Sequence, residues 1–149
     1  MSFSDFTTDD ELLAKRLAEV EQNVKSRPNE VNARLEGRYI GCVGSEKSLT
    51  VEFPVLEWET NYYGKLHGGI ICTMLDHTSG MTAVCFLGGA NPTVDIDVHF
   101  LRKAELGDTL VCKAQLEFAG SKIVHIRAEL LSKQSGKTVA TSLATHFRI

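Results

Sequence analysis

Apolar positions near the start of the chain recur at helical spacing: Leu13, Leu17, Val20 and Val24 fall at steps of four, three and four. That places one apolar stripe on a helix whose opposite face is charged, the pattern of an element laid over a core or an interface. Pro28 bounds the helix, because proline cannot continue it. Ahead of the stripe, Thr8-Asp9-Asp10-Glu11 reads as a capping box, with acidic side chains set against the positive end of the helix dipole. Beyond residue 34 the pattern turns to strand. Tyr39, Ile40, Cys42 and Val43 belong to one strand and Leu49, Val51, Phe53, Pro54 and Val55 to a second, with Gly44-Ser45-Glu46-Lys47 as the hairpin turn between them. An irregular stretch follows, from Glu57 to Lys65.

From His67 to about Leu87 the apolar coverage becomes nearly continuous. Ile70, Ile71, Met74, Leu75, Met81, Ala83, Val84 and Phe86 surround only a few polar residues, and the run is too long for a strand. This predicts a buried helix, ended by Gly88-Gly89. The rest alternates. Val94, Ile96, Val98 and Phe100 form one strand; Leu110, Cys112, Ala114, Leu116 and Phe118 a second; Val124, Ile126, Ala128 and Leu130 a third; residues 138–147 the last. Turns fall at Leu106-Gly107-Asp108, Ala119-Gly120-Ser121 and Gln134-Ser135-Gly136-Lys137. Short turns between alternating strands imply an antiparallel sheet with one buried face. Residues 1–33 are thus an N-terminal helix and linker. Residues 34–149 form one α+β domain, five or six antiparallel strands curled around one long helix.

Composition narrows the function classes. With 149 residues the chain suits one domain, and 43% hydrophobic with 23% charged residues is ordinary for a soluble globular protein. A formal net charge of −3 leaves no basic footprint for nucleic acid. Cys42, Cys72, Cys85 and Cys112 lack the spacing of a zinc site, and reduced, mostly buried thiols are expected, as in a reducing compartment. The first ten residues carry Asp5, Asp9 and Asp10, unlike a secretory signal or an acid-poor presequence. No apolar run is expected to reach the length that spans a bilayer. The expectation is a cytoplasmic protein without membrane insertion. His77, His99, His125 and His146 have no metal-ligand spacing, so neither metal nor cofactor is called for.

Chemistry concentrates between Asn61 and Asp76. Gly68-Gly69 at a helix start leaves backbone N–H groups uncovered where the helix dipole favours negative charge, a setting suited to an oxyanion. A Gly-Gly pair also simply permits a tight turn. Asp76 is the one carboxylate in the apolar helix, and its burial calls for a partner or a function. General-base activation of water and a paired structural Asp both meet that demand. Eight residues separate Gly68 from Asp76, roughly 12 Å along a helix. One helix cannot bring both to the same carbonyl carbon; two antiparallel copies about a two-fold axis can. If both residues are catalytic, the active unit is at least a dimer.

The pattern Asn61-x2-Gly64-x2-His67-Gly68-Gly69-x6-Asp76 resembles the signature of hotdog-fold acyl-CoA thioesterases, closest to the phenylacetate-degradation type and the small eukaryotic thioesterase-superfamily-member-two enzymes. The likeness runs from about Arg34 to Phe147 and includes the segment from Thr93 to Arg102 and the Leu106-Gly107-Asp108 turn. It implies the hotdog fold and a dimer-of-dimers homo-oligomer that hydrolyses acyl-CoA without cofactor. It implies that the Gly68 N–H polarises the thioester carbonyl with help from Asn61, that Asp76 of the opposing subunit is base or nucleophile, that Thr93 orients water, and that His67 shapes the helix start. Coenzyme A contacts are implied at Gly69, Asp95, Phe100, Leu101, Arg102, Lys103, Gly120, Ser121 and Lys122, with the three cations facing the phosphates. Lys103 departs from the family, standing where many relatives have proline, and adds a cation there. Asp95, Asp97 and His99 also share one polar strand face that suits solvent or a subunit contact. Medium- or long-chain fatty acyl-CoA is preferred over aryl-CoA. The rivals are an acyl-CoA-binding or scaffold protein that has lost turnover, and a dehydratase, whose His and carboxylate arrangement is missing.

Overall fold

The computed structural model describes residues 6–149, so Asp5 lies outside the described residues. The first helix, α1 (Asp10–Lys25), buries Leu13, Leu17 and Val20, three of the four stripe residues. Each contributes roughly 1.5–3 kcal/mol when fully buried. The helix is capped one residue later than the sequence implied. Asp9, not Thr8, adopts the extended cap conformation and accepts the Leu12 N–H, while the Thr7 hydroxyl accepts the Asp9 N–H. No reciprocal glutamate completes a box. A four-residue helix, α2 (Val31–Arg34), then occupies part of what was expected to be linker and strand.

Six strands follow: β1 (Arg38–Val43), β2 (Ser48–Pro54), β3 (Thr93–Phe100), β4 (Thr109–Ala119), β5 (Ile123–Ser132) and β6 (Thr138–Phe147). They form one antiparallel sheet in the order β1-β2-β4-β5-β6-β3. The central helix, α3 (Gly68–Leu87), inserts between β2 and β3 in sequence and packs against strands across the concave face. The fold is the hotdog, with α1 added beside β1 and α3.

At 20 residues with a single charged side chain, α3 does reach the length that crosses a bilayer, contrary to the expectation from sequence. Its place inside the sheet accounts for that composition. Ile71, Met74, Leu75, Ala83, Cys85 and Phe86 are buried among Leu49, Val51, Phe53, Leu110, Ile126 and Leu130. Four polar residues of α3 are buried as well. Thr78 and Thr82 donate back to the carbonyls of Met74 and Thr78, so their hydroxyls need no outside partner. Ser79 is buried too, and His77 is met by the Tyr39 hydroxyl at 2.6 Å. The helix ends where Gly88, at φ 71°, takes a conformation that side-chain-bearing residues avoid.

β4 and β5 show the expected alternation of buried and exposed residues. β3 does not. Its Ile96 and Val98 are only half-buried, while Val94 and Phe100 stay 60% and 55% exposed. β3 lies at one edge of the sheet, paired to β6 alone.

Candidate active site

The start of α3 is built from the loop before it. Asn61 staples that loop: its side-chain oxygen accepts the N–H groups of Tyr63 and Lys65 at 3.0 and 3.2 Å. Its backbone N–H donates to the Lys65 carbonyl and its carbonyl accepts the Gly64 N–H. Gly64, at φ 70°, makes the turn possible. With the carboxamide oxygen used by the loop, what Asn61 still offers is its NH2 group, a donor.

Glu59 anchors the other side. Its carbonyl accepts the His67 N–H at 2.8 Å, and its buried carboxylate accepts the Leu56 N–H at 2.7 Å. His67 then caps α3: Nδ1 accepts the Gly69 N–H at 2.9 Å, which leaves Nε2 as the protonated nitrogen of the neutral ring. A side chain at Gly69 would stand 3.0 Å from that Nδ1, so the imidazole would have to give by a few tenths of an ångström. Gly68 would meet only the Phe100 ring, at 3.4 Å. Among the described residues the Gly68 N–H has no acceptor. It stands free at the positive end of a 20-residue helix.

A cleft of about 300 Å³ opens there, lined by Asn61, Tyr63, Gly68, Phe100, Arg102 and Lys103 among others. The end of β3 is held in place by β6, since the N–H groups of Leu101 and Arg102 both donate to the Val139 carbonyl. The Arg102 guanidinium is partly used, donating to the Thr138 carbonyl at 2.8 Å. Lys65 is paired with Glu105 at 2.6 Å. Lys103 is exposed and forms no ion pair among the described residues.

Asp76 and Thr93 make a second group. The Thr93 hydroxyl donates to Asp76 Oδ1 at 2.7 Å, linking mid-helix to the other end of β3. Asp76 is half-buried, so its charge is not sealed in the core. Its neighbour His77 is sealed, and burial pushes that imidazole down to about 4 while the Asp76 charge opposes the shift. The Gly120-Ser121-Lys122 turn belongs to this end. The Phe147 N–H donates to the Pro92 carbonyl, the Arg148 N–H donates to the Lys122 carbonyl, and the Lys122 ammonium lies 5.6 Å from the Phe147 ring centre.

One chain therefore holds two incomplete groups. Asn61, His67, Gly68, Gly69 and Phe100 to Lys103 meet at one end of β3; Asp76, Thr93 and Gly120 to Lys122 meet at the other. Asp95 lies between them, exposed on β3. Sequence reasoning passed over Tyr63, Lys65 and Leu66, which line the cleft within the recognised Asn61–His67 spacing. It also passed over Glu59, whose only signal was a glutamate three residues after Leu56, ahead of the motif.

The model of the thioesterase superfamily matches residues 63–139, a span that takes in α3 and the strands β3 to β5; the chain belongs to that superfamily. It is 33% identical over 108 residues to human acyl-coenzyme A thioesterase 13, covering 72% of this chain and 77% of that protein. The mouse counterpart is 32% identical over 95 residues, covering 63% and 68%. Among solved structures, the Escherichia coli PaaI protein from the phenylacetic acid degradation operon superposes with TM-score 0.81 at 23% identity, covering 94% of this chain and 95% of that one. Zebra fish thioesterase superfamily member 2 superposes with TM-score 0.78 at 24% identity, covering 88% and 96%.

Proposed function

We propose that the protein hydrolyses acyl-CoA thioesters at a site completed by two copies of the chain. The observation that carries this reading is the separation of the free Gly68 N–H from the Thr93-bound Asp76 carboxylate. Each is what one half of the hydrolysis needs, and one chain keeps them at different points along α3. The exposed edge strand β3 runs between them, and pairing two such edges about a two-fold axis sets Gly68 of one copy opposite Asp76 of the other. Relatives named as acyl-coenzyme A thioesterases and a Streptococcus mutans neighbour solved with acetyl CoA support the substrate class.

In this mechanism the pantetheine and phosphates lie in the cleft toward Arg102 and Lys103, met from the partner by Lys122. The thioester carbonyl oxygen accepts from the Gly68 N–H and the Asn61 NH2. Asp76 of the partner takes a proton from water, with Thr93 holding the carboxylate in position. Water's oxygen bonds to the carbonyl carbon, negative charge collects on the carbonyl oxygen, and the N–H donors stabilise it more than they stabilise the neutral ester. Collapse breaks the C–S bond, the departing thiolate takes the proton held by Asp76, and coenzyme A thiol and a free acid are released with the carboxylate restored. Direct attack by Asp76, giving an anhydride that water then opens, uses the same geometry. Medium- or long-chain fatty acyl groups are the favoured substrates, and the cytoplasm the favoured location.

Mixed variants test the shared site. Proline is tolerated at the first position of a helix, and the extended His67 preceding it is already in the conformation proline imposes. Gly68→Pro thus deletes one N–H with little change of shape. Alone, it and Asp76→Ala should both be nearly inactive in a coenzyme A release assay. After subunit exchange, half the dimers are mixed and each holds one intact site, so activity should return to roughly a quarter of wild type. No recovery after verified exchange sinks the shared site. Tight acyl-CoA binding without turnover by the unmodified protein would favour the binding-protein reading instead.

A further inference from the structure

Thr93 reaches Asp76 only because β3 is irregular. The inward positions of β3 are Ile96, Val98 and Phe100, which stand opposite Ala144, Ser142 and Ala140 of β6. Continuing that register would pair His146 with Val94 and turn Thr93 to the outer face of the sheet. Instead the register slips between Thr93 and Asp95, and Thr93 itself stands opposite His146. Directly paired residues share a face, and His146 is fully buried. The bulge therefore aims the Thr93 hydroxyl inward, where it donates to Asp76 at 2.7 Å.

His146 touches both sides of that contact. Its Nδ1 lies 3.0 Å from the Asn91 carbonyl oxygen, and because a carbonyl can only accept, Nδ1 carries the proton. Asn91 is two residues ahead of Thr93, and its side chain donates to the Gly88 and Gly89 carbonyls at the end of α3. The imidazole also packs on α3 itself. A Cβ at Gly80, one turn beyond Asp76, would stand 4.0 Å from the His146 Cε1. Among the described residues Nε2 is buried without a partner, so the bond to Asn91 is the ring's one hydrogen bond.

We infer that His146 is a positioning residue, which through the Asn91 carbonyl sets the bulge that keeps the Thr93 hydroxyl on Asp76. Thr93 engages Oδ1 of the carboxylate, and Oδ2 is thereby presented to water. This rests on the hydrolysis proposed above and adds to it a residue that acts only through Thr93.

Two variants separate the donor from the bulk of the ring. His146→Asn keeps an amide donor near the Nδ1 position, whereas His146→Gln carries it out to the Nε2 position, where nothing receives it. In a coenzyme A release assay His146→Gln should lower kcat about tenfold or more with KM unchanged. His146→Asn should stay within about twofold of wild type, since the donor is kept. Placed on Thr93→Val, which already lacks the hydroxyl, His146→Gln should cost less than about twofold further. The Asp76 carboxyl carbon resonance, assigned by its absence in Asp76→Asn, gives a readout independent of turnover. It should move in Thr93→Val, move alike in His146→Gln, and hold in His146→Asn. The inference is overturned if His146→Gln costs the same factor with and without the Thr93 hydroxyl, if His146→Asn loses as much, or if the resonance ignores His146→Gln. A protein that releases no coenzyme A would remove the hydrolysis reading, and the resonance would decide the positioning by itself.

Discussion

In the proposed mechanism each ligand is met by the Phe100 end of one copy's β3 and the Thr93 end of its partner's, and the two ends are built on different principles. At the Phe100 end the working groups are chiefly backbone: a free N–H and a helix dipole, beside a loop stapled by the Asn61 side-chain oxygen. At the Thr93 end they are side chains, a carboxylate and a hydroxyl in direct contact. Backbone donors need no titration and tolerate changes in neighbouring side chains. The side-chain pair depends wholly on residue identity. Substitutions should therefore be punished unequally at the two ends.

The largest effect is expected at Asp76. Asp76→Asn keeps shape and removes charge, and loss of a general base typically lowers the rate about 10²–10⁴-fold. A purely structural Asp76 would instead lower the melting temperature and leave kcat near wild type, so both are measured on one preparation. Next comes the strand that joins the ends. Val94→Lys places charge on the exposed edge of β3 and should shift the protein toward monomer in light scattering, with activity falling in proportion. An active monomer would break the comparison, because both groups would then serve one chain.

Smaller effects are expected from the cations. Arg102→Ala, Lys103→Ala and Lys122→Ala remove contacts made equally in ground and transition states, so KM should rise a few-fold, about 1 kcal/mol or less for exposed charges, with kcat unchanged. Equal shifts at Arg102 and Lys122, which reach one ligand from different copies, would tie both copies to it. A change confined to kcat counts against phosphate contact. The smallest effect on turnover is expected at His77. Its folded value of about 4 lies below the ordinary 6.5, so the unfolded chain binds the extra proton first. The resulting stability is complete above pH 6.5 and is lost as pH falls from 6.5 toward 4, by about 3 kcal/mol in all. His77→Gln should flatten that slope in pH-dependent unfolding while leaving the activity profile in place.

Much of this was legible in the sequence because the period of a pattern reports the local element directly. The stripe of α1, the apolar run of α3 and the alternation of β4 to β6 each announce their own geometry, and Asp76 announces itself as the only carboxylate in its helix. Four residues of α2 are too few to set a period, and Thr8 and Asp9 are equally good caps until backbone torsions choose between them. The Tyr39–His77 contact joins residues from two elements, and no rule that looks along one element can pair them. Alternation in β3 predicted a buried face, but it cannot distinguish a face covered by the chain's own core from one covered by another copy. The separation of Gly68 from Asp76 was legible in their eight-residue spacing; that Thr93 pairs with Asp76 while Phe100 lies beside Gly68 emerged only from the placement of β3.

The exposed edge of β3 also affects how the protein behaves in a test tube. Val94 and Phe100 present apolar surface on a strand with one side unpaired, and Asp95 and Asp97 beside them repel casual neighbours in other registers. In the shared site proposed above, catalytic capacity is a property of concentration: dilution below the dissociation constant of the dimer removes sites faster than it removes protein. Specific activity should then fall as the enzyme is diluted, and recover on adding an inactive copy that still supplies the missing edge.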